Sequence, residues 1–182
     1  MARSQPSDAI SLLKADHRKV EDLFEKFEKA RDAGRKQELV KQICTELVVH
    51  ATLEEEIFYP ACKGQIKDDD LLDESYVEHD GAKVLISELM NSDPANEFYD
   101  AKVTVLSELI KHHVKEEEKR GEGLFAEAKA AGLDVEALGA RILQRKRALL
   151  EEFENGDKLP APETRSYTGH DLVQSEPLPP AG

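Results

Sequence analysis

HATLEEEIFYP, residues 50–60, puts a histidine and a glutamate one helical turn apart on a face that should be apolar. Leu39, Ile43, Leu47, His50, Glu54 and Ile57 step by three and four residues, the spacing of one helix stripe. Three more segments repeat the pattern and the intrusion. Ile10, Leu13, His17, Val20, Phe24 and Phe27 form one stripe, and Leu72, His79, Ala82, Ile86 and Leu89 another. The last is Val103, Leu106, Ile110, His113 and Glu117. Each helix thus turns one histidine toward its neighbours, and two of them add a carboxylate at i+4, on the same side. Unpaired carboxylates in an apolar seam are costly. A cation among the six groups removes that cost.

The connections between these segments are short, which makes consecutive helices antiparallel neighbours. The expected fold is therefore all-α, an up-down-up-down four-helix bundle with an extra C-terminal helix and a disordered tail. Residues 1–7 are polar and read as a flexible N-terminus, 8–132 as the bundle, 133–155 as an accessory helix and 156–182 as the tail. Ser7 or Asp8 is placed to cap the first helix, with Gly34 as its stop. The second helix is expected from about Arg35 to Cys62, with Pro60 disturbing its last turn and Gly64 closing it. Asp68, Asp69 and Asp70 favour the start of the third, which ends near Met90. Ser92-Asp93-Pro94 reads as the cap of a fourth helix reaching about Ala131, kinked or interrupted at Gly121 and Gly123. Beyond Asp134, Val135, Leu138, Ile142, Leu149 and Phe153 give an apolar face, and Arg141, Arg145, Lys146 and Arg147 a basic one. That helix either packs outside the bundle or makes a dimer contact.

Of the 182 residues 40% are hydrophobic and 35% charged, with no Trp, a mostly helical composition with enough apolar material for one core. The net charge of −13 repels nucleic acid and anionic lipid, so neither is an expected partner. No run approaches a membrane span, and the N-terminus lacks the apolar stretch of a secretory signal. The expected location is the cytoplasm, and the expected state a monomer or weak homodimer. Cys44 and Cys62 both fall on the second helix, about 27 Å apart along a straight rod, too far to bridge.

Imidazoles mixed with carboxylates suit iron, zinc, copper or manganese, whereas calcium and magnesium prefer oxygen alone. Four ligands fill one zinc site, so six candidates suit two ions better. Ferritin-like di-iron bundles place Glu three residues before His, and no histidine here has Glu at that position. His112 precedes Glu116 by four residues and is a rival to His113, but it is turned about 100° from the apolar side. Glu55, Glu56 and Glu118 read most simply as solvated residues, and Phe58, Tyr59 and Tyr76 as packing or as support for a ligand.

The order is a lone His, His-x-x-x-Glu, His, His-x-x-x-Glu. With the stretches HATLEEEIFYP (50–60), EHDGAK (78–83) and HHVKEEE (112–118), it resembles the hemerythrin-like (HHE cation-binding) domain over roughly residues 8 to 150. The resemblance implies two iron ions with an oxo or hydroxo bridge in a four-helix bundle. His17, His50, His79 and His113 would be terminal ligands, Glu54 and Glu117 the bridging carboxylates, and a position would be open to dioxygen. Two departures stand out. Oxygen carriers of that family have two histidines four residues apart on the third helix, whereas His79 is flanked at that spacing by Ser75 and Lys83. Their last carboxylate lies five residues after its histidine, which here would be Glu118, so Glu118 and His112 stand as alternative ligands or as supports behind the ligands. The missing imidazole favours sensing or detoxification over oxygen storage. The expected function is binding of dioxygen, nitric oxide or peroxide for sensing or stress protection. The alternatives are an enzyme that consumes peroxide or nitric oxide, and an iron-handling stress protein.

Overall fold

Residues 8–156 and 163–167 are described by the computed structural model, and their regular structure is helical. Helix α1 (Ala9–Lys29) begins where the Asp8 carboxylate accepts the Ser11 backbone N–H at 3.0 Å. It ends five residues before Gly34, because Ala30 turns to an extended conformation while its N–H still reaches the Lys26 and Phe27 carbonyls. Asp32 then caps α2 (Ala33–Leu53), accepting the Arg35 N–H at 2.8 Å. Gly34 is thus not a stop but part of the first turn of α2, where the aspartate cap outweighs the weak helix propensity of glycine.

Helix α2 does not run on regularly. Glu54–Phe58 form a π-helical turn, followed by the short α3 (Tyr59–Cys62). The Tyr59 N–H donates to the Glu54 carbonyl five residues back. Pro60 has no N–H to offer, so the i to i−4 ladder is already broken there. Gly64, at φ 71°, takes the left-handed conformation that ends the segment.

The third long helix is α4 (Asp70–Met90). The fourth differs from expectation. Ser92-Asp93-Pro94 caps turns rather than a helix, and α5 runs only over Tyr99–Glu117. The Asp93 and Asn96 side chains take the backbone N–H groups of Ala95 and Phe98 and hold the chain in turns up to that point. After α5 the chain bends at Gly121, φ 82°, and restarts as α6 (Leu124–Ala130). A Cβ on Gly123 would lie 2.5 Å from the Glu116 carbonyl oxygen and 2.6 Å from that of Glu117, so only glycine lets α6 fold back so closely. Gly132, at φ 74°, then leads into α7 (Val135–Gly156), where Asp134 accepts the Ala137 N–H at 2.9 Å.

Helix α1 packs on α2 and α5, and α4 packs on α2 and α5, so the four close a ring. Helix α7 lies on α1 and α2, burying Leu138, Ile142 and Leu149, so the apolar face read as a possible dimer contact is used inside the chain. The core has two clusters. One gathers Leu13, Leu53, Phe58, Cys62, Phe125 and Ile142; the other gathers Val20, Phe24, Ile43, Cys44, Ile86 and Leu106. Each fully buried side chain of this size contributes about 1.5–3 kcal/mol relative to exposure. On α1, His17 falls between Leu13 of one cluster and Val20 of the other, so the polar residues lie where the two clusters meet. Both cysteines are buried and free, one in each cluster. Residues 1–7, most of the expected tail and His170 lie outside the described residues; 163–167 lie against α4.

Candidate metal centre

The four stripes deliver their intruders to one place. His17, His50, Glu54, His79, His113 and Glu117 are each 6% exposed or less. Their ligand atoms form two groups, His17–His50–Glu54–Glu117 and Glu54–His79–His113, within each of which all atoms lie inside 4.8 Å. Nε2 of His17 is 3.0 Å from Nε2 of His50, and Nε2 of His79 is 3.2 Å from Nε2 of His113.

The carboxylates stand between the groups. Glu54 Oε2 lies 3.2 Å from His50 Nε2 and 3.3 Å from His79 Nε2. Glu117 Oε2 lies 3.4 Å from His17 Nε2 and 3.5 Å from His113 Nε2. Each carboxylate therefore reaches a histidine of both groups.

Three of the four outward nitrogens are held by acids; sequence reading left Glu55 in solvent, passed over Glu78, and read Glu118 both as solvated and as a support behind the ligands. His17 Nδ1 pairs with Glu118 at 2.8 Å, His79 Nδ1 with Glu55 at 3.0 Å and His113 Nδ1 with Glu78 at 2.7 Å. His50 Nδ1 lies 3.8 Å from Asp16, too far for a hydrogen bond. Glu55 is buried rather than solvated, because the π turn swings it inward beside Glu54. Glu118 is only one-fifth exposed at its side chain, bonded also to Arg18. A pattern links the four acids: Asp16, Glu55, Glu78 and Glu118 each adjoin in sequence one of the six inward residues, yet each faces a histidine on another helix, Asp16 without bonding it. Glu56 stays on the surface and pairs with Arg145 of α7. His112 is exposed and pairs with Glu78 at 3.2 Å, so it is no rival to His113 in this arrangement.

Charge balance follows from these contacts. Burial works against the His50 imidazolium, but the Glu54 and Asp16 carboxylates raise its pKa to about 10. Burial likewise opposes ionisation of Glu54, yet His50, His113 and His79 hold it well below the usual carboxylate range. The hydrogen bond from His17, with Arg18 beside it, takes Glu118 down to about 2. Burial and the two carboxylates push the Tyr59 phenol well above its usual value.

Two features show that the residues fit a cation. Glu54 Oε1 and Glu117 Oε2 are buried without a hydrogen-bond partner. His79 Nε2 and His113 Nε2 face each other at 3.2 Å while their Nδ1 atoms pair with Glu55 and Glu78, so both inward nitrogens are aimed at one point where a cation would take their lone pairs. Nitrogen and carboxylate donors together suit a transition metal. Beside the histidines opens a cavity of about 300 Å³, walled by Val20, Leu47, Ile86, Ile110 and Leu149, with Lys83 and Arg165 also on its lining. Arg165, in the 163–167 segment, and Lys83 both pair with Glu55.

Among curated proteins, a DNA nickase from Nostoc sp. is 30% identical over 114 residues, covering 63% of this chain. The chain spans only about a third of that relative's length, 32%. Among solved structures, a Hemerythrin HHE cation binding domain-containing protein, the Rv2633c homologue from Mycobacterium kansasii, superposes with a TM-score of 0.65. It shares 20% identity and the match covers 83% of this chain and 94% of that one, a likeness of fold. Residues 8–121 match the hemerythrin HHE cation-binding domain, and the chain belongs to that family.

Proposed function

We propose that the chain holds two iron ions, joined by an oxo or hydroxo bridge, and binds dioxygen, nitric oxide or peroxide there for sensing or stress protection. The observation that carries this reading is the sharing of both carboxylates. Glu54 belongs to both ligand groups, and Glu117 Oε2 is nearly equidistant from His17 and His113, at 3.4 and 3.5 Å. His17 and His50 would hold one ion, His79 and His113 the other. Iron would supply the redox chemistry and the affinity for small ligands. The chain supplies the rest. Glu118, Glu55 and Glu78 fix three imidazoles with Nε2 inward, and the apolar cavity walls limit water near them.

One observation favours a second reading, an enzyme that consumes peroxide or nitric oxide. The third helix brings one histidine rather than two, and the cavity gives a small oxidant room to reach that side. The acidic surface favours neither nucleic acid nor anionic membrane as a partner, and no described helix is long and apolar enough to cross a membrane. The DNA-nicking activity named for the Nostoc relative is not carried over, since most of that protein has no counterpart here. A cytoplasmic monomer or weak dimer fits this reading.

Anaerobic loading with ferrous iron, then metal analysis and absorption spectra under oxygen, nitric oxide and peroxide in turn, tests both. About two irons per chain with ligand-dependent spectra is the expected result. Fewer than about 1.5 irons and unchanging spectra would defeat the proposal. Sustained peroxide turnover would select the enzyme.

A further inference from the structure

The cavity beside the centre is larger than a diatomic ligand or hydrogen peroxide needs. It holds about 300 Å³, and His17, His50, His79 and His113 all lie on its lining. Dioxygen, nitric oxide and hydrogen peroxide are each close in size to a water molecule, whose share of the liquid is about 30 Å³. An apolar cavity of about 150 Å³ already accommodates benzene. The space therefore takes an organic molecule of about ten non-hydrogen atoms with one end at the histidines.

The walls decide what kind of molecule. Away from the histidines they are hydrocarbon: Val20 from α1, Leu47 from α2, Ile86 from α4, Ile110 from α5, and Leu149 and Phe153 from α7. Hydrogen peroxide entering such a space gives up hydrogen bonds to water and finds none on these side chains. A carbon skeleton gains by the same transfer. The lysine and arginines on the lining are already engaged. Lys83 pairs with Glu55 at 2.7 Å, Arg165 also with Glu55, and Arg145 with Glu56 at 2.8 Å. A carboxylate or phosphate head would have to break one of these pairs, so a neutral molecule fits better.

We propose that this cavity binds neutral organic hydroperoxides, with an alkyl or aryl body on the hydrocarbon walls and the O–O group turned to the histidines, and that these rather than hydrogen peroxide are what the centre consumes. The proposal rests on the peroxide-consuming reading above and names its substrate class. The oxygen–oxygen bond breaks; one oxygen stays on carbon as the alcohol and the other leaves as water. Two electrons, one from each ferrous ion, and two protons from solvent complete the balance.

Two measurements on the full iron-loaded chain test it, the first without turnover. Calorimetric titration of the oxidised protein with 2-phenyl-2-propanol, the alcohol left by cumene hydroperoxide, should show saturable uptake of about one molecule per chain. Ile110→Phe and Leu149→Trp, which fill the cavity from two different helices, should weaken that uptake by about 10-fold or more while iron content stays. In stopped flow, the rate constant for oxidising the ferrous protein should rise from hydrogen peroxide through tert-butyl to cumene hydroperoxide, by about 10- to 100-fold in all. In the two variants that gain should vanish, with the hydrogen peroxide rate near the wild-type value. No uptake of the alcohol, as when another part of the chain fills the space, or uptake that both variants leave intact, overturns the proposal. A flat or falling series overturns it too, and each of these results leaves the iron reading standing. A chain that takes up no iron overturns both. If neither variant folds, uptake and the rate series in wild type decide.

Discussion

Glu55 shows how much one side chain controls. It accepts from His79 Nδ1 at 3.0 Å and also pairs with Lys83 and Arg165. Glu55→Gln keeps the shape and removes the charge that holds the imidazole. The expected cost is about 10–100-fold in metal affinity, read by competition with a chelator, with little change in helix content by circular dichroism. Cys44 tests burial instead. Desolvation pushes its thiol up to about 12, and that of Cys62, beside Glu117 and Glu54, likewise to about 12. At pH 8 only about 1 in 10⁴ of each is thiolate. Neither should react with an aromatic disulfide reagent until the chain is unfolded, when both should. The six inward residues were legible because each broke an apolar stripe. Of the acids behind them only Glu118 was offered as a support, since charges flanking a stripe usually face water, and the contacts of these acids are made across helices. The signal for them was adjacency: an acid directly beside each of His17, Glu54, His79 and Glu117.

Among the elements, the long stripes were readable and the junctions were not. Periodicity marks a helix interior, whereas its end depends on which side chain captures the free N–H groups. Asp32 did so two residues ahead of Gly34, and Asp93 and Asn96 did so without starting a helix. The π turn leaves no periodic trace in so short a run. Gly123→Ala tests the junction of α5 and α6. Its new methyl would meet backbone at 2.5–2.7 Å, which cannot swing aside, so the helices must separate. A loss of about 1–3 kcal/mol is expected by denaturant unfolding. Because Glu117 is next to that junction, iron content should fall with it. Ile142→Ala tests α7. That side chain is fully buried against α1 and α2, and about 2–5 kcal/mol should be lost.

Over the whole molecule, the buried acids and imidazoles make the metal a folding partner. Ligand that binds only the folded state adds stability, about 2.7 kcal/mol at a hundred-fold excess over Kd. Iron should therefore raise the melting temperature and a chelator should lower it, as scanning calorimetry would show. The net charge of −13 gives a further expectation: no retardation of duplex DNA at about 0.15 M salt in a gel assay. The family match stops at residue 121, but the ion pairs around the centre do not. Lys146 of α7 pairs with Asp16, Arg145 of α7 with Glu56, and Arg165 with Glu55. A recombinant fragment trimmed to the recognised boundary would keep the six inward residues but lose Lys146, which pairs with Asp16, and Arg165, one of the two cations on Glu55. The contacts that hold these acids thus reach beyond the stretch by which kinship is detected.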